Sequence, residues 1–219
     1  MEIKDKDAEK VWKKILEYVL ENGREFRDGK NRICKESLNV VAIIEDLKTI
    51  SKPMEILHSF KKWVYPPMEE LKSSILGRKE IPGYYYHYGA RAFDYNGEGL
   101  NQVDNYLIPL LKKDPTSKRG IVVFYGPEKD TLPLKKETPG VVMVNFNIRD
   151  KKLFTTIIIR SNDLFFGWPG NMVQIRYLAE YVGKELSVPV GPITTISISA
   201  HIFEKQFEDI KKVIGRKNR

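Results

Sequence analysis

Sulfur chemistry is nearly absent from this sequence: among 219 residues Cys34 is the only cysteine. An internal disulfide framework is therefore excluded, which fits a reducing compartment. No apolar run approaches the length of a membrane span, and Met1 to Lys14 is charged, without the apolar centre of a secretory leader. Internal repeats and low-complexity tracts are also missing. These absences predict a soluble, cytoplasmic protein with no membrane partner. Acidic residues are outnumbered, giving a formal net charge of +8. The lysines are scattered and not gathered in a block, so the charge suits anionic partners in general without selecting nucleotide, nucleic acid or acidic surface. At 42% hydrophobic residues the chain has enough apolar material for one domain, 1–219, with a substantial core.

The most informative stretch is Arg160 to Asn171. It leaves a β-branched run (Thr155, Thr156, Ile157, Ile158, Ile159), turns through Gly167 and Pro169, and enters a helical pattern at Asn171. A guanidinium, a hydroxyl, a carboxylate and an amide are delivered where a strand hands over to a helix, a common place for ligand sites in α/β proteins. Arg160 and Ser161 would suit a phosphate, since a guanidinium binds oxyanions through two parallel bonds. The plainer alternative is a connecting loop with a surface arginine and an asparagine cap.

Other segments decide between them. Arg160-Ser161-Asn162-Asp163, with Gly167, Pro169 and Asn171, resembles the Arg-Ser-x-Asp-x-x-x-Gly-x-Pro-x-Asn signature of thymidylate synthases. Tyr88-Gly89-Ala90-Arg91, then Gly99 to Val103, is similar to that family's Tyr-Gly-x-Arg and the helix entry after it. Pro115-Thr116-Ser117-Lys118-Arg119 resembles its Pro-x-Ser-Arg-Arg, and Ala200-His201-Ile202-Phe203 its Ala-His-Ile-Tyr. The resemblance implies an α/β (α+β) fold: a mixed twisted sheet with helices on one face, the other face packed against a second copy in a homodimer. It implies a nucleotide-like ligand and a reduced folate or methanopterin carrying one carbon, with no metal. It also implies roles. Arg160, Ser161 and an arginine of the first loop, either Arg27 or Arg32, would hold phosphate, and Lys118 and Arg119 would reach across a two-fold axis to the partner subunit's phosphate. Asn171, His201 and Phe203 would meet base and sugar. Glu55, Tyr88 and Asp163 would serve the chemistry alongside Asn171.

The sequence departs from the family where the reaction begins. The family's nucleophilic cysteine stands in a Pro-Cys-His segment; here Thr138-Pro139-Gly140-Val141 occupies that place. Glycine has no atom that could add to a pyrimidine ring, so covalent catalysis by that route is unavailable at Gly140. Phe203 stands for the family's tyrosine, and Lys118 for an arginine, keeping charge and losing the planar fork. The expected function is thus a transferase related to methylation of deoxyuridylate at carbon five, with altered, non-cysteine chemistry. The alternatives are a non-catalytic nucleotide-binding homologue, or a true thymidylate synthase whose nucleophile has moved to Cys34. As a thiol in a charged loop, Cys34 reads more simply as an unreactive structural residue.

Periodicity predicts a first helix over about Asp7 to Leu20 and a polar loop from Arg24 to Lys35. A strand is expected over Leu38–Ile44 and a helix from Pro53 past Trp63, led by Glu55, which reads equally as a surface or capping residue. A helix over Asn101–Lys113 should follow. Strands are expected at Gly120–Tyr125, Val141–Ile148, Lys152–Ile159 and Ile193–Ile202, the second and third joined by a hairpin turn at Arg149-Asp150-Lys151, with a helix after Asn171 and a last one from Phe203 to Ile214. Tyr84-Tyr85-Tyr86-His87-Tyr88 would wall a site for a flat heterocycle, or form an edge strand or dimer contact. His87 has no carboxylate or second histidine beside it and reads as satisfied by the fold. Nucleic-acid binding is disfavoured, because basic and aromatic residues do not interleave in any recognised way.

Overall fold

The β-branched run ending at Ile159 becomes the middle of a sheet because every second residue of it, Thr155, Ile157 and Ile159, turns to one face and loses its water. The computed structural model describes residues 1–81, 86–95, 97–132 and 137–216. Its first half contains β1 (Glu2–Asp5), α1 (Ala8–Asn22), β2 (Arg24–Arg27), β3 (Ile33–Ile44), α2 (Lys52–Ser59), α3 (Met68–Leu76) and α4 (Tyr88–Phe93). Next come α5 (Ile108–Lys113), β4 (Ile121–Val123), α6 (Pro127–Asp130) and β5 (Val141–Arg149). The chain then runs through β6 (Lys152–Asp163), α7 (Gly167–Leu186), β7 (Val190–Phe203) and α8 (Phe207–Val213).

The sheet order is β1-β3-β7-β6-β5-β4, with β2 hairpinned onto β3. β6 and β7 are parallel, joined by the crossover helix α7, whereas β3–β7 and β5–β6 are antiparallel. Leu153, Thr155, Ile157 and Ile159 lie on the buried face of β6. Against that face pack α1 and α7, whose indoles also satisfy their polar ends. Trp12 Nε1 donates to Leu164 O (2.8 Å), and Trp168 Nε1 to Thr195 Oγ1 (3.1 Å). The opposite face is an apolar row in register, Val41–Ile196–Ile158–Met143, all half-buried, and beside it Ile198 is 44% exposed. Mixed sheet and helices are those of the expected α/β fold.

Several boundaries differ from the expectation. The polar segment after α1 is not a loop. It folds as β2 and the start of β3, and places Cys34 on a strand opposite Phe203. Charged residues fit there because every residue of β2 is exposed. α2 stops at Ser59, so Trp63 lies beyond it in a turn, held by its indole N–H on Asp209 (3.0 Å). The helix expected from Asn101 opens as a π-helical stretch, Val103–Leu107, before α5, which has Pro109 near its start, where no N–H is needed. α7 begins at Gly167, so Asn171 is a turn inside it and not a cap. Asp150 and Lys151 take positive φ (49° and 58°) in the tight turn expected between β5 and β6.

Candidate functional site

Gly140 immediately precedes β5 and sits opposite Arg160, whose N–H donates to the Gly140 carbonyl at 2.9 Å. A Cβ placed there would lie 3.2 Å from Ser161 O and 3.8 Å from Tyr88 Oη. The first distance is snug and the second ordinary, so the position would take a side chain with small adjustments. Tyr88 Oη accepts the N–H of Val141 (3.1 Å), and burial holds the phenol well above its usual pKa. Tyr88 thus bonds the backbone at the vacated position.

The Arg160 side chain turns back over the same segment. Its Nε donates to Pro139 O (2.9 Å), and Nη2 to Thr138 O (3.0 Å) and Thr138 Oγ1 (2.5 Å). All three partners are neutral, and Nη1 makes no bond to a described residue. This half-buried guanidinium has no carboxylate partner among the described residues, which leaves its charge open to an anion.

Beyond Arg160 the ends of β6 and β7 open into a second basin. Because the strands are parallel, Ser161 lies beside Ser199 and Asp163 beside His201. With the β2–β3 hairpin these ends enclose a pocket of about 140 Å³ lined by Ser161, Ser199, His201, Phe203, Arg32 and Cys34. Arg32 stacks on the Phe203 ring, 4.1 Å from its centroid, and its Nε donates to Asp28 Oδ2 (2.8 Å). That pairing holds the Asp28 carboxyl down at about 2. Arg27 lies in an adjoining hollow with Arg32, its Nη1 on Asn31 O (3.2 Å). Ser199 Oγ donates to Glu36 Oε1 (2.5 Å) and stands 3.4 Å from His201 Nδ1.

Arg160, Ser161 and Asn171, expected to serve one ligand site at the strand-to-helix junction, do not converge in this geometry. Arg160 clasps the Thr138–Pro139 carbonyls, Ser161 faces the Arg32 pocket, and Asn171 sits in α7 with no side-chain partner among the described residues. Asp163 does not project freely either. Its Oδ1 accepts from the N–H groups of Phe165 and Phe166 (3.0 Å each), and Gln206 Nε2 reaches Oδ2 at 2.9 Å. Burial raises the Asp163 carboxyl above its ordinary pKa in spite of these donors. Glu55 is exposed and accepts from Ser51 Oγ (2.7 Å). Lys118 and Arg119 are exposed, without side-chain partners among the described residues. Gly120 O bonds Phe146 N, so this pair stands six residues along β5 from Gly140, about 20 Å at strand rise. Within one chain they do not reach Arg160. Cys34 is 1% exposed, and burial pushes its thiol up. It lies five residues along and three strands across from the Gly140 row, on the order of 20 Å between backbones.

Glu36, Ser199 and Gln206 bond or adjoin the candidate site residues and escaped the sequence reading. Ser199 was accessible in principle, two residues before His201 on the same strand face. The other two are joined to Ser199 and Asp163 by pairings 163 and 43 residues apart, which leave no local signal. Of the aromatic cluster, Tyr84 and Tyr85 lie outside the described residues. Among the described residues no three His, Cys, Asp or Glu side chains gather as metal ligands, and no helix is long and apolar enough to cross a membrane.

Comparison with known proteins agrees with the fold. The family profile described as thymidylate synthase matches residues 31–219. A protein of Methanothermobacter thermautotrophicus named "Putative thymidylate synthase" is 34% identical over 215 residues, covering 93% of both chains. A protein of the same name from Methanosarcina mazei is 30% identical over 212 residues, covering 97% of this chain and 94% of its own. One from Methanocaldococcus jannaschii, again so named, is 29% identical over 214 residues, covering 96% and 94%.

Proposed function

The chain belongs to the thymidylate synthase family, and from that premise we propose that it binds a nucleotide-like phosphate and transfers a one-carbon unit to it without a cysteine. The observation that carries this reading is Arg160, a half-buried cation whose bonded partners are all neutral. A charge kept this way is costly unless an anion completes it. Nη1 supplies the free donors, while Ser161 faces the adjoining Arg32 pocket, where it would bind with Arg32. Lys118 and Arg119, too far away within one chain, would join them from a second copy stacked through the apolar row on the open sheet face. The functional unit is then a cytoplasmic homodimer. Asn171 would read the base edge with donor and acceptor together, and Asp163 would steady the one-carbon carrier, a reduced folate or methanopterin. Glu55 would need to swing from Ser51 to take part in proton transfer. Without a thiol the acceptor carbon must already be electron-rich, since no residue at position 140 can add to the ring.

A non-catalytic nucleotide-binding homologue is the second reading, and the saturated carboxylate of Asp163 favours it. A relocated nucleophile is opposed by the burial and distance of Cys34.

Ligand-free protein titrated calorimetrically with deoxyuridylate and related nucleotides tests the proposal. Binding is expected, with no covalent adduct in intact mass after addition of 5-fluorodeoxyuridylate and a methylene-carrying reduced folate. Gly140→Cys should acquire that adduct. Absence of binding to every nucleotide in the panel defeats the reading, and turnover with a one-carbon donor separates it from the non-catalytic alternative.

A further inference from the structure

Strands β6, β7 and β3 form the floor of the pocket of about 140 Å³ beside Arg32. Cys34 and Phe203 oppose each other in the β3–β7 pairing and both line that pocket, as do Ser199 and His201 on β7. Glu36 lies two residues along from Cys34 and opposite His201, so strand alternation puts it on the same face. Side chains opposed in this way start about 5 Å apart. The Glu36 carboxylate is half-buried and bonds Ser199, itself part of the pocket wall.

The direction of each bond follows from one proton. A serine hydroxyl has a single hydrogen, and Ser199 Oγ gives it to Glu36 Oε1 at 2.5 Å. His201 Nδ1, 3.4 Å from the same oxygen, must then be the donor of that pair, which leaves Nε2 of the neutral ring a bare acceptor. Glu36 Oε2 is a second acceptor, without a partner among the described residues. Arg24, opposite Glu36 on β2, makes no ion pair with it among the described residues. Phe203, the next residue on this face of β7, has no hydroxyl to offer either way. Two neighbouring acceptors, one of them charged, therefore await a ligand that brings two neighbouring donors. The space holds only part of a drug-sized molecule, so the donors belong to a fragment such as a sugar ring.

We propose that Glu36 is a specificity-determining residue that selects a ribonucleotide: the 3′-hydroxyl donates to His201 Nε2 and the 2′-hydroxyl to Glu36 Oε2. A vicinal diol supplies both donors at once, whereas a deoxyribose leaves the half-buried carboxylate oxygen unmatched. The bond to the carboxylate is charge-assisted and so the stronger of the two. This assignment rests on the nucleotide reading above and narrows it to one kind of sugar.

The test titrates the full chain, freed of bound ligand, with uridylate, deoxyuridylate and 2′-fluoro-2′-deoxyuridylate in the calorimeter. The fluorine fills the place of the hydroxyl but cannot donate. Uridylate should bind about tenfold more tightly than either of the others, as one charge-assisted hydrogen bond allows. Glu36→Gln keeps the shape and the bond from Ser199 and puts an N–H donor where Oε2 was, so it should bring the three affinities together. Should that variant fail to fold, the wild-type ranking of the three probes still decides. Deoxyuridylate or the fluoro analogue binding as tightly as uridylate, or a tenfold preference that survives Glu36→Gln, overturns the assignment and leaves the nucleotide reading standing. No binding of any of the three defeats that reading and this assignment with it.

Discussion

Arg91 and Arg160 are both drawn away from water, and they are treated oppositely. Arg91 is 3% exposed and closed on all sides. It meets Asp130 through Nη1, and through Nη2 at 2.9 Å, and Nη1 also donates to Phe124 O (2.5 Å). The carboxylate in turn accepts the Gly126 N–H at 2.9 Å. Arg160 is half-buried and, among the described residues, has only neutral partners and keeps one nitrogen without a bond. A buried cation matched by a carboxylate fixes a structure; one matched by carbonyls alone holds a place for something that arrives later. Both arginines sit in motifs shared with the family, and the motifs do not reveal which is which.

The largest effect should come from opening the closed arginine. Asp130→Ala leaves Arg91 buried and uncompensated and should cost about 3–5 kcal/mol in chemical denaturation. Arg160→Met should cost only about 1–2 kcal/mol, since neutral bonds are lost and water can replace them. Equal losses in the two variants would erase the contrast. Second in size, Arg160→Met should weaken deoxyuridylate binding on the order of a hundredfold in calorimetry, because bonds to a phosphate are charge-assisted. Unchanged affinity would reduce Arg160 to a clasp on the Thr138–Pro139 segment.

A pH series sharpens the comparison further. The Asp163 carboxyl is raised in the folded protein by burial, so the folded state holds its proton more firmly than the unfolded chain does. Its contribution is therefore fully present below the unfolded pKa, about 4, and declines as pH rises through the folded value. Unfolding free energies of wild type and Asp163→Asn, compared along pH, should move in favour of the variant as pH rises; a flat difference rejects the assignment. The smallest effect belongs to the exposed basic pair. Lys118→Ala should shift stability by no more than about 0.5 kcal/mol, and should weaken nucleotide binding only where the protein is dimeric by sedimentation.

Much of the site was legible because its residues are neighbours in sequence. Arg160, Ser161 and Asp163 follow one another off a strand whose alternation is plain, and His201 with Phe203 closes another. Less was legible where charge disguised a strand. Arg24 to Arg27 looked like a loop because a fully exposed edge hairpin needs no apolar face. The long-helix reading past Phe60 failed for a similar reason: apolar spacing continued while the chain had already turned, and half-buried Trp63 is held by a tertiary bond to Asp209.

By itself the order of residues determined the strand alternation, the helix stripes, the tight turn at Asp150-Lys151 and the absence of a nucleophile at position 140. These depend on neighbours within a few positions, whose spacing the covalent chain sets. Only the tertiary structure decided that Arg160 bends onto the Thr138–Pro139 carbonyls, that Glu36 reaches Ser199 beside His201, and that Lys118 and Arg119 stand about 20 Å along the sheet from Gly140. Each of those outcomes turns on which strands pair and in what register, and a pairing across 21 to 163 residues leaves no mark in the composition of either partner.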